Sequence, residues 1–145
     1  MLQKLTAVHM DACVQLFYEV FTAGRWQFDW LTTDNIRRYF ADLRRTPHFI
    51  GYVWSEDQRL AGACLGIASD YFGAPQYEIK EIFVDPNRQG RGVGSKFLAA
   101  VENDLREKGI GMVILFTSRG IPAYSYYLKN NYIQNEDTVH FMKTL

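Results

Sequence analysis

Residues 77–101, YEIKEIFVDPNRQGRGVGSKFLAAV, constrain this chain more than any other stretch. They read as a strand, a glycine loop and a helix in direct succession. Residues 77–84 alternate weakly and carry Ile79, Ile82, Phe83 and Val84, a pattern suited to a half-buried strand. Asp85-Pro86-Asn87 ends it, because proline has no N–H for a ladder and Asp and Asn favour turns. In Gln89-Gly90-Arg91-Gly92-Val93-Gly94, three glycines within five residues let backbone N–H groups converge with no Cβ between them. The helix that follows adds the N–H groups of its first turn and the positive end of its dipole. The combination suits an anion, most often a phosphate.

The rest of the chain gives this unit a mixed α/β setting. A strand is expected at residues 2–7. A helix over residues 9–21 would present Val14, Phe17, Tyr18 and Phe21 on one face. A second helix has Ile36, Tyr39, Phe40 and Leu43 on its apolar face, N-cap chemistry in Thr33-Asp34-Asn35, and Pro47 as its stop. Arg37, Arg38, Arg44 and Arg45 form its solvated face. Two strands, at residues 48–55 and 59–70, flank a hairpin turn at Glu56-Asp57-Gln58, and residues 71–76 read as a loop. After the glycine loop come a helix to Lys108, stopped by Gly109, and a buried strand over residues 111–117. Pro122 opens a last helix over residues 121–129, and residues 132–133 and 138–142 read as a terminal strand pair. The expectation is one α/β domain over residues 1–145, with a mixed sheet of about six or seven strands and about four helices.

Charge and cysteine usage exclude several function classes. Lys+Arg and Asp+Glu both number 16, and a balanced chain lacks the basic excess of a general nucleic-acid binder. Cys13 and Cys64 stand apart in apolar settings with no metal-ligand spacing, and His9, His48 and His140 are scattered, so no metal is expected. The first residues are broken by Lys4, His9 and Asp11 and do not read as a signal peptide. No stretch approaches the ~20 apolar residues that span a bilayer. Free thiols and the lack of a leader suggest the cytoplasm, with no membrane partner. No G-x-S-x-G points to a serine hydrolase.

Three phosphate loops compete for the glycine segment. A P-loop needs G-x-x-x-x-G-K-[ST], but Gly94 is followed by Ser95-Lys96, in the wrong order. A dinucleotide loop needs G-x-G-x-x-G near the start of a doubly wound sheet, whereas this loop is G-x-G-x-G after several strands. VDPNRQGRGVGSKFL, by contrast, resembles motif A of the GCN5-related N-acetyltransferase (GNAT) superfamily, [RQ]-x-x-G-x-[GA], with Gln89, Gly92 and Gly94 in place and Val84 and Pro86 matching its V-x-P lead. AYSYYLKNNY, residues 123–132, resembles the family's motif B, with Tyr127 on its tyrosine and Tyr132 on its phenylalanine. The strand order agrees, so the resemblance covers essentially the whole chain. Two positions depart from the pattern: Gly120 stands where many members have Asn, and Asn131 where they have Gly.

The resemblance implies an N-acetyltransferase with acetyl-CoA as co-substrate, its pyrophosphate on the amides of Gln89, Gly90, Arg91, Gly92, Val93, Gly94 and Ser95. The pantetheine arm would pair with Ile82, Phe83 and Val84 where central strands splay, and Arg88, Arg91 or Lys96 would meet the adenosine phosphates. Tyr127 would protonate the leaving thiolate. Glu78 is the first candidate for the base and Glu81 the second, with an ordered water as substitute. Three residues apart, the two acids face opposite ways on a regular strand, and a bulge would change that. Trp26, Phe28, Asp29, Trp30 and Tyr71 suit one wall of a pocket for a small-molecule or peptide amine. A CoA-binding sensor without transfer activity is the alternative. A homodimer is expected from symmetry statistics alone.

Overall fold

The computed structural model describes residues 1–23 and 30–145. They divide into two compact units, Met1–Leu115 and Phe116–Leu145. The first contains β1 (Leu2–Lys4), α1 (Met10–Thr22), α2 (Thr33–Arg45), β2 (Phe49–Glu56), β3 (Arg59–Tyr71), β4 (Ala74–Val84), α3 (Val93–Glu107) and β5 (Met112–Leu115). The strands lie side by side in chain order; β1 to β4 are antiparallel and β5 runs parallel to β4. The α/β class and mixed sheet expected from the sequence are present.

Strand alternation sorts the core into two layers. Val53, Ala63, Leu65 and Phe83 join Val14, Phe17, Ile36 and Phe40 of α1 and α2 in one apolar cluster. The Phe83 ring lies 5.2 Å from Phe17, edge-on, and 6.1 Å from Phe40, stacked. Each such side chain contributes about 1.5–3 kcal/mol by leaving water. The other face meets α3: the Tyr52 hydroxyl donates to Asp104 Oδ2 at 2.6 Å, and the Trp54 ring lies 5.9 Å from Phe97. α2 begins one residue earlier than its cap signal suggested, because the Thr32 hydroxyl accepts from Asn35 N–H at 3.0 Å.

Two hairpins are tighter than the sequence suggested. Asp57 and Gln58, at φ 50° and 61°, turn β2 into β3. The expected loop over residues 71–76 contracts to Phe72 and Gly73, at φ 52° and 83°, and β4 starts at Ala74. Both turns have two central residues of positive φ, the backbone that matches strand twist. Pro75 is accommodated because it lies at the start of β4, where its carbonyl accepts from Gly111 N–H at 3.1 Å.

In the second unit, α4 (Pro122–Lys129) has proline in its first turn, and Tyr132 N–H returns to Tyr127 O at 3.0 Å. Asn131 takes φ 67°, so it adopts the left-handed conformation usual for glycine. The terminal strand pair expected at residues 132–133 and 138–142 does not form, so the sheet has five strands among the described residues. Ile133, Phe141 and Met142 are exposed, and an isolated two-stranded ribbon is marginal in water. No helix among the described residues is long and apolar enough to cross a membrane.

Candidate active site

β4 pairs with β5 only from Gln76 to Ile79, opposite Met112 to Leu115, while its pairing with β3 continues to Val84. Among the described residues, one edge of β4 beyond Ile79 therefore has no strand beside it, and Ile82, Phe83 and Val84 lie on that stretch. An edge with backbone donors and acceptors is a template for an extended, amide-bearing ligand. Phe83 is committed to the core through its side chain, so its backbone is what the edge offers.

The glycine loop begins where this edge ends. Pro86–Arg88 make a single 3₁₀ turn, capped by Asp85, whose carboxylate accepts from Asn87 N–H at 2.9 Å. The Gln89 amide donates to Val84 O at 3.2 Å and ties the loop to the strand. Gly90 and Gly92 stand at φ 78° and 74°, conformations that cost other residues about 1 kcal/mol or more. Gly92 caps α3, whose first backbone bond, Lys96 N–H to Gly92 O, is 3.0 Å long. The amides of Val93, Gly94 and Ser95 precede that bond, at the positive end of a 15-residue helix. Arg91 and Lys96 are exposed beside them. Arg88, a third expected phosphate ligand, is instead paired with Glu56 Oε2 at 2.8 Å and braces the loop against the β2–β3 turn.

A bulge decides where the two candidate bases point. Leu65 opposes Glu81 and Gly66 opposes Ile79, so Lys80 is an extra residue in β4. Glu78 pairs with Ile67, two residues from Leu65, and both acids consequently face the α1–α2 layer rather than opposite sides. Gly66 makes room for this: a Cβ there would lie 2.3 Å from Tyr77 Cζ and 2.4 Å from Glu78 O. Glu78 is held by Lys80 Nζ at 3.0 Å. Glu81 is the more enclosed of the two. Burial pushes its carboxyl up to about 7, against the opposing pull of a hydrogen bond from Tyr39. That bond runs from the Tyr39 hydroxyl on α2 to Glu81 Oε1 at 3.1 Å. Burial, and then Glu81 and Glu78, hold the Tyr39 phenol far above its ordinary range, so it stays a neutral donor. From sequence Tyr39 reads only as a core residue; its position on an apolar helical face carries no sign of a polar partner 42 residues away.

Tyr71 ends β3, 59% exposed and 4.9 Å from the Phe72 ring. It lies six residues along β3 from Leu65, roughly 20 Å from the register of Glu81. Trp30 is exposed. Trp26, Phe28 and Asp29 lie outside the described residues. Tyr127 is half-buried in α4, its ring 5.5 Å from Tyr132 and 5.2 Å from Tyr126. Gly120 has φ 76°, a left-handed backbone state open to both glycine and asparagine. Among the described residues, no three His, Cys, Asp or Glu side chains are grouped to hold a metal ion.

Comparison with solved structures bears on the fold. An aminoglycoside acetyltransferase from an uncultured soil metagenomic sample, in complex with sisomicin, superposes with a TM-score of 0.75 at 20% identity, over 100% of this chain and 95% of that one. AAC(6')-Iy, in complex with the bisubstrate analogue CoA-S-monomethyl-acetylneamine, gives 0.75 at 17% identity, over 100% and 98%. A Trypanosoma brucei acetyltransferase gives 0.70 at 20% identity, over 99% of both chains. Curated protein sequences return no match. The profile of the acetyltransferase (GNAT) family, however, matches residues 10–132, which include the strand edge, the glycine loop and the Tyr127 helix. By that match, the chain belongs to the GNAT acetyltransferase family.

Proposed function

We propose that this protein is an acetyl-CoA-dependent N-acetyltransferase that moves an acetyl group to a primary amine by direct attack. The observation that carries this reading is the open edge of β4, which runs into the glycine loop and bears Glu81 on its α1–α2 face, with Glu78 on the same face of the paired segment before it. The donors fit the co-substrate. Backbone groups of Ile82, Phe83 and Val84 suit the amides of a pantetheine arm, and the amides from Gln89 to Ser95 suit a pyrophosphate. Arg91 and Lys96 supply cationic contacts to the remaining phosphate.

When bound, acetyl-CoA supplies an acyl carbon activated as a thioester. Glu81 takes a proton from the acceptor ammonium: an N–H bond breaks, a carboxyl O–H forms, and the nitrogen lone pair is freed. A carboxyl titrating near 7 is matched to that task at neutral pH. A backbone N–H of β4 stabilises negative charge on the carbonyl oxygen. Tyr127, by the resemblance of its segment to motif B, gives its proton to the leaving thiolate. Glu78 faces the same layer and adds negative charge for a cationic acceptor, although Lys80 offsets part of it.

The test has two stages. Acetyl-CoA, but not NAD or ATP, should raise the melting temperature. Acetyl transfer is then measured with sisomicin, spermidine, free amino acids and a peptide N-terminus. Sisomicin belongs in the panel because a neighbour of the same fold was solved with it. Stabilisation by NAD or ATP alone would overturn the reading at the first stage. Tight acetyl-CoA binding with no transfer to any amine would instead indicate a sensor.

A further inference from the structure

A polar contact links the α1–α2 layer to the open part of β4. The Tyr39 hydroxyl reaches across from α2 to Glu81 Oε1 at 3.1 Å. Among the described residues, no hydrogen bond or ion pair engages the other oxygen, Oε2. The Lys80 bulge is what turns Glu81 toward α2, and it lies immediately after the last residue of β4 paired with β5. We propose that Tyr39 is a positioning residue for the base: its hydroxyl holds one carboxylate oxygen of Glu81 and leaves the second directed to the acceptor nitrogen. This inference rests on the transfer reading above and assigns Tyr39 no contact with substrate.

The physical argument is one of orientation and charge. A carboxylate on a strand edge has free rotation about its terminal torsion, and one fixed oxygen removes much of that freedom. The donor is a neutral phenol, so it steadies the carboxylate without quenching it as a lysine would. Lys80 plays that quenching role for Glu78 instead, at 3.0 Å. Among the described residues, the groups bearing on the pair are few. Tyr39 feels Glu81 and Glu78 from β4; Glu81 feels burial and Tyr39; no charged group of α1 or β3 enters either set. The hydroxyl favours the charged form of Glu81, so removing it should make the carboxyl harder to ionise.

Tyr39→Phe keeps the ring in the α2 face and deletes only the oxygen. Glu81 titration is followed by the ¹³C signal of its side-chain carboxyl, assigned by its loss in Glu81→Gln. The midpoint should move up by about one pH unit in Tyr39→Phe. With any accepted amine, the acid limb of kcat/KM should move by the same amount. At pH 6 kcat should fall by about tenfold and recover by pH 9, with the KM for acetyl-CoA unchanged. In a Glu81→Gln background, Tyr39→Phe should have no further effect on kcat. A purely structural contact would lower the melting temperature and leave the limb where it was. Transfer by wild type with an unmoved midpoint and limb in Tyr39→Phe overturns this inference alone. Absence of transfer by wild type to every amine refutes the transfer reading, and Tyr39 then positions no base.

Discussion

Replacing Glu81 by glutamine should stabilise the protein above neutral pH while abolishing its activity. The native site raises this carboxyl from an ordinary 4.5 to about 7, chiefly because burial strips water from the charged form. The sign follows from linkage. Below about pH 4.5 the carboxyl is protonated in both folded and unfolded chains, and the two proteins should match. Between about 4.5 and 7 the folded state binds the proton more tightly, so wild-type stability declines as pH rises; above that window the deficit is constant. Taken whole, a displacement of this size corresponds to about 3 kcal/mol. Glu81 is only partly enclosed, and solvent relaxation reduces the figure to on the order of 2 kcal/mol. For a chain of this length the unfolding entropy is about 0.3 kcal/mol per degree, so the melting temperature should rise by roughly 7 °C at pH 8. Glutamine retains an oxygen to accept from Tyr39, so the contact with α2 survives the change. Thermal and urea melts at pH 4.5, 6 and 8, followed by circular dichroism, would measure the difference. An equal increment at all three values, or a less stable variant at pH 8, would refute the claim that Glu81 is held at an electrostatic cost.

Gly66→Ala should cost about 2–4 kcal/mol, because the added Cβ meets the Glu78 carbonyl and a Tyr77 ring pinned by its hydrogen bond to Ile50 O at 2.7 Å. Gly111→Ala, with nothing within 4 Å of the new Cβ, is the matched control, and equal urea midpoints for the two would sink the steric argument. Arg91→Ala should weaken CoA binding several-fold and flatten its salt dependence in calorimetry, whereas Arg88→Ala should lower the melting temperature through loss of the Glu56 pair. The reverse pattern would show that Arg88 is the phosphate ligand. Tyr127→Phe should reduce kcat by about a hundredfold with acetyl-CoA stabilisation intact; full turnover would remove Tyr127 from the proton path.

Local signals were legible wherever a local conformation produced them. The glycines at 90 and 92 adopt the positive φ for which their side-chain-free backbone is suited, and Asn131 takes the same state in glycine's place. Pro122 sits in the first turn of α4, and Gly92 caps α3 where the loop meets the helix. Apolar period, together with cap and stop residues, was enough to place α1, α2 and α3. Contacts distant in sequence were not legible. The pairing of Arg88 with Glu56 is one of them, because the two lie 32 residues apart across a hairpin. The terminal residues carried strand-like composition, yet a strand needs a neighbour and a face, and neither is written into the segment itself.

The same division runs through the candidate site. The sequence by itself determined a glycine turn fed by a strand and the family to which the chain belongs, because φ > 0 glycines and a helix start are properties of a few consecutive residues. Only the tertiary structure decided which way the two acids face and what each of them meets. The extra residue at Lys80 exists only against Gly66 of the neighbouring strand, and Tyr39 meets Glu81 only once α2 has packed on the sheet. A bulge is a relation between two strands, and the environment that moves a carboxyl's proton affinity is built by everything packed around it.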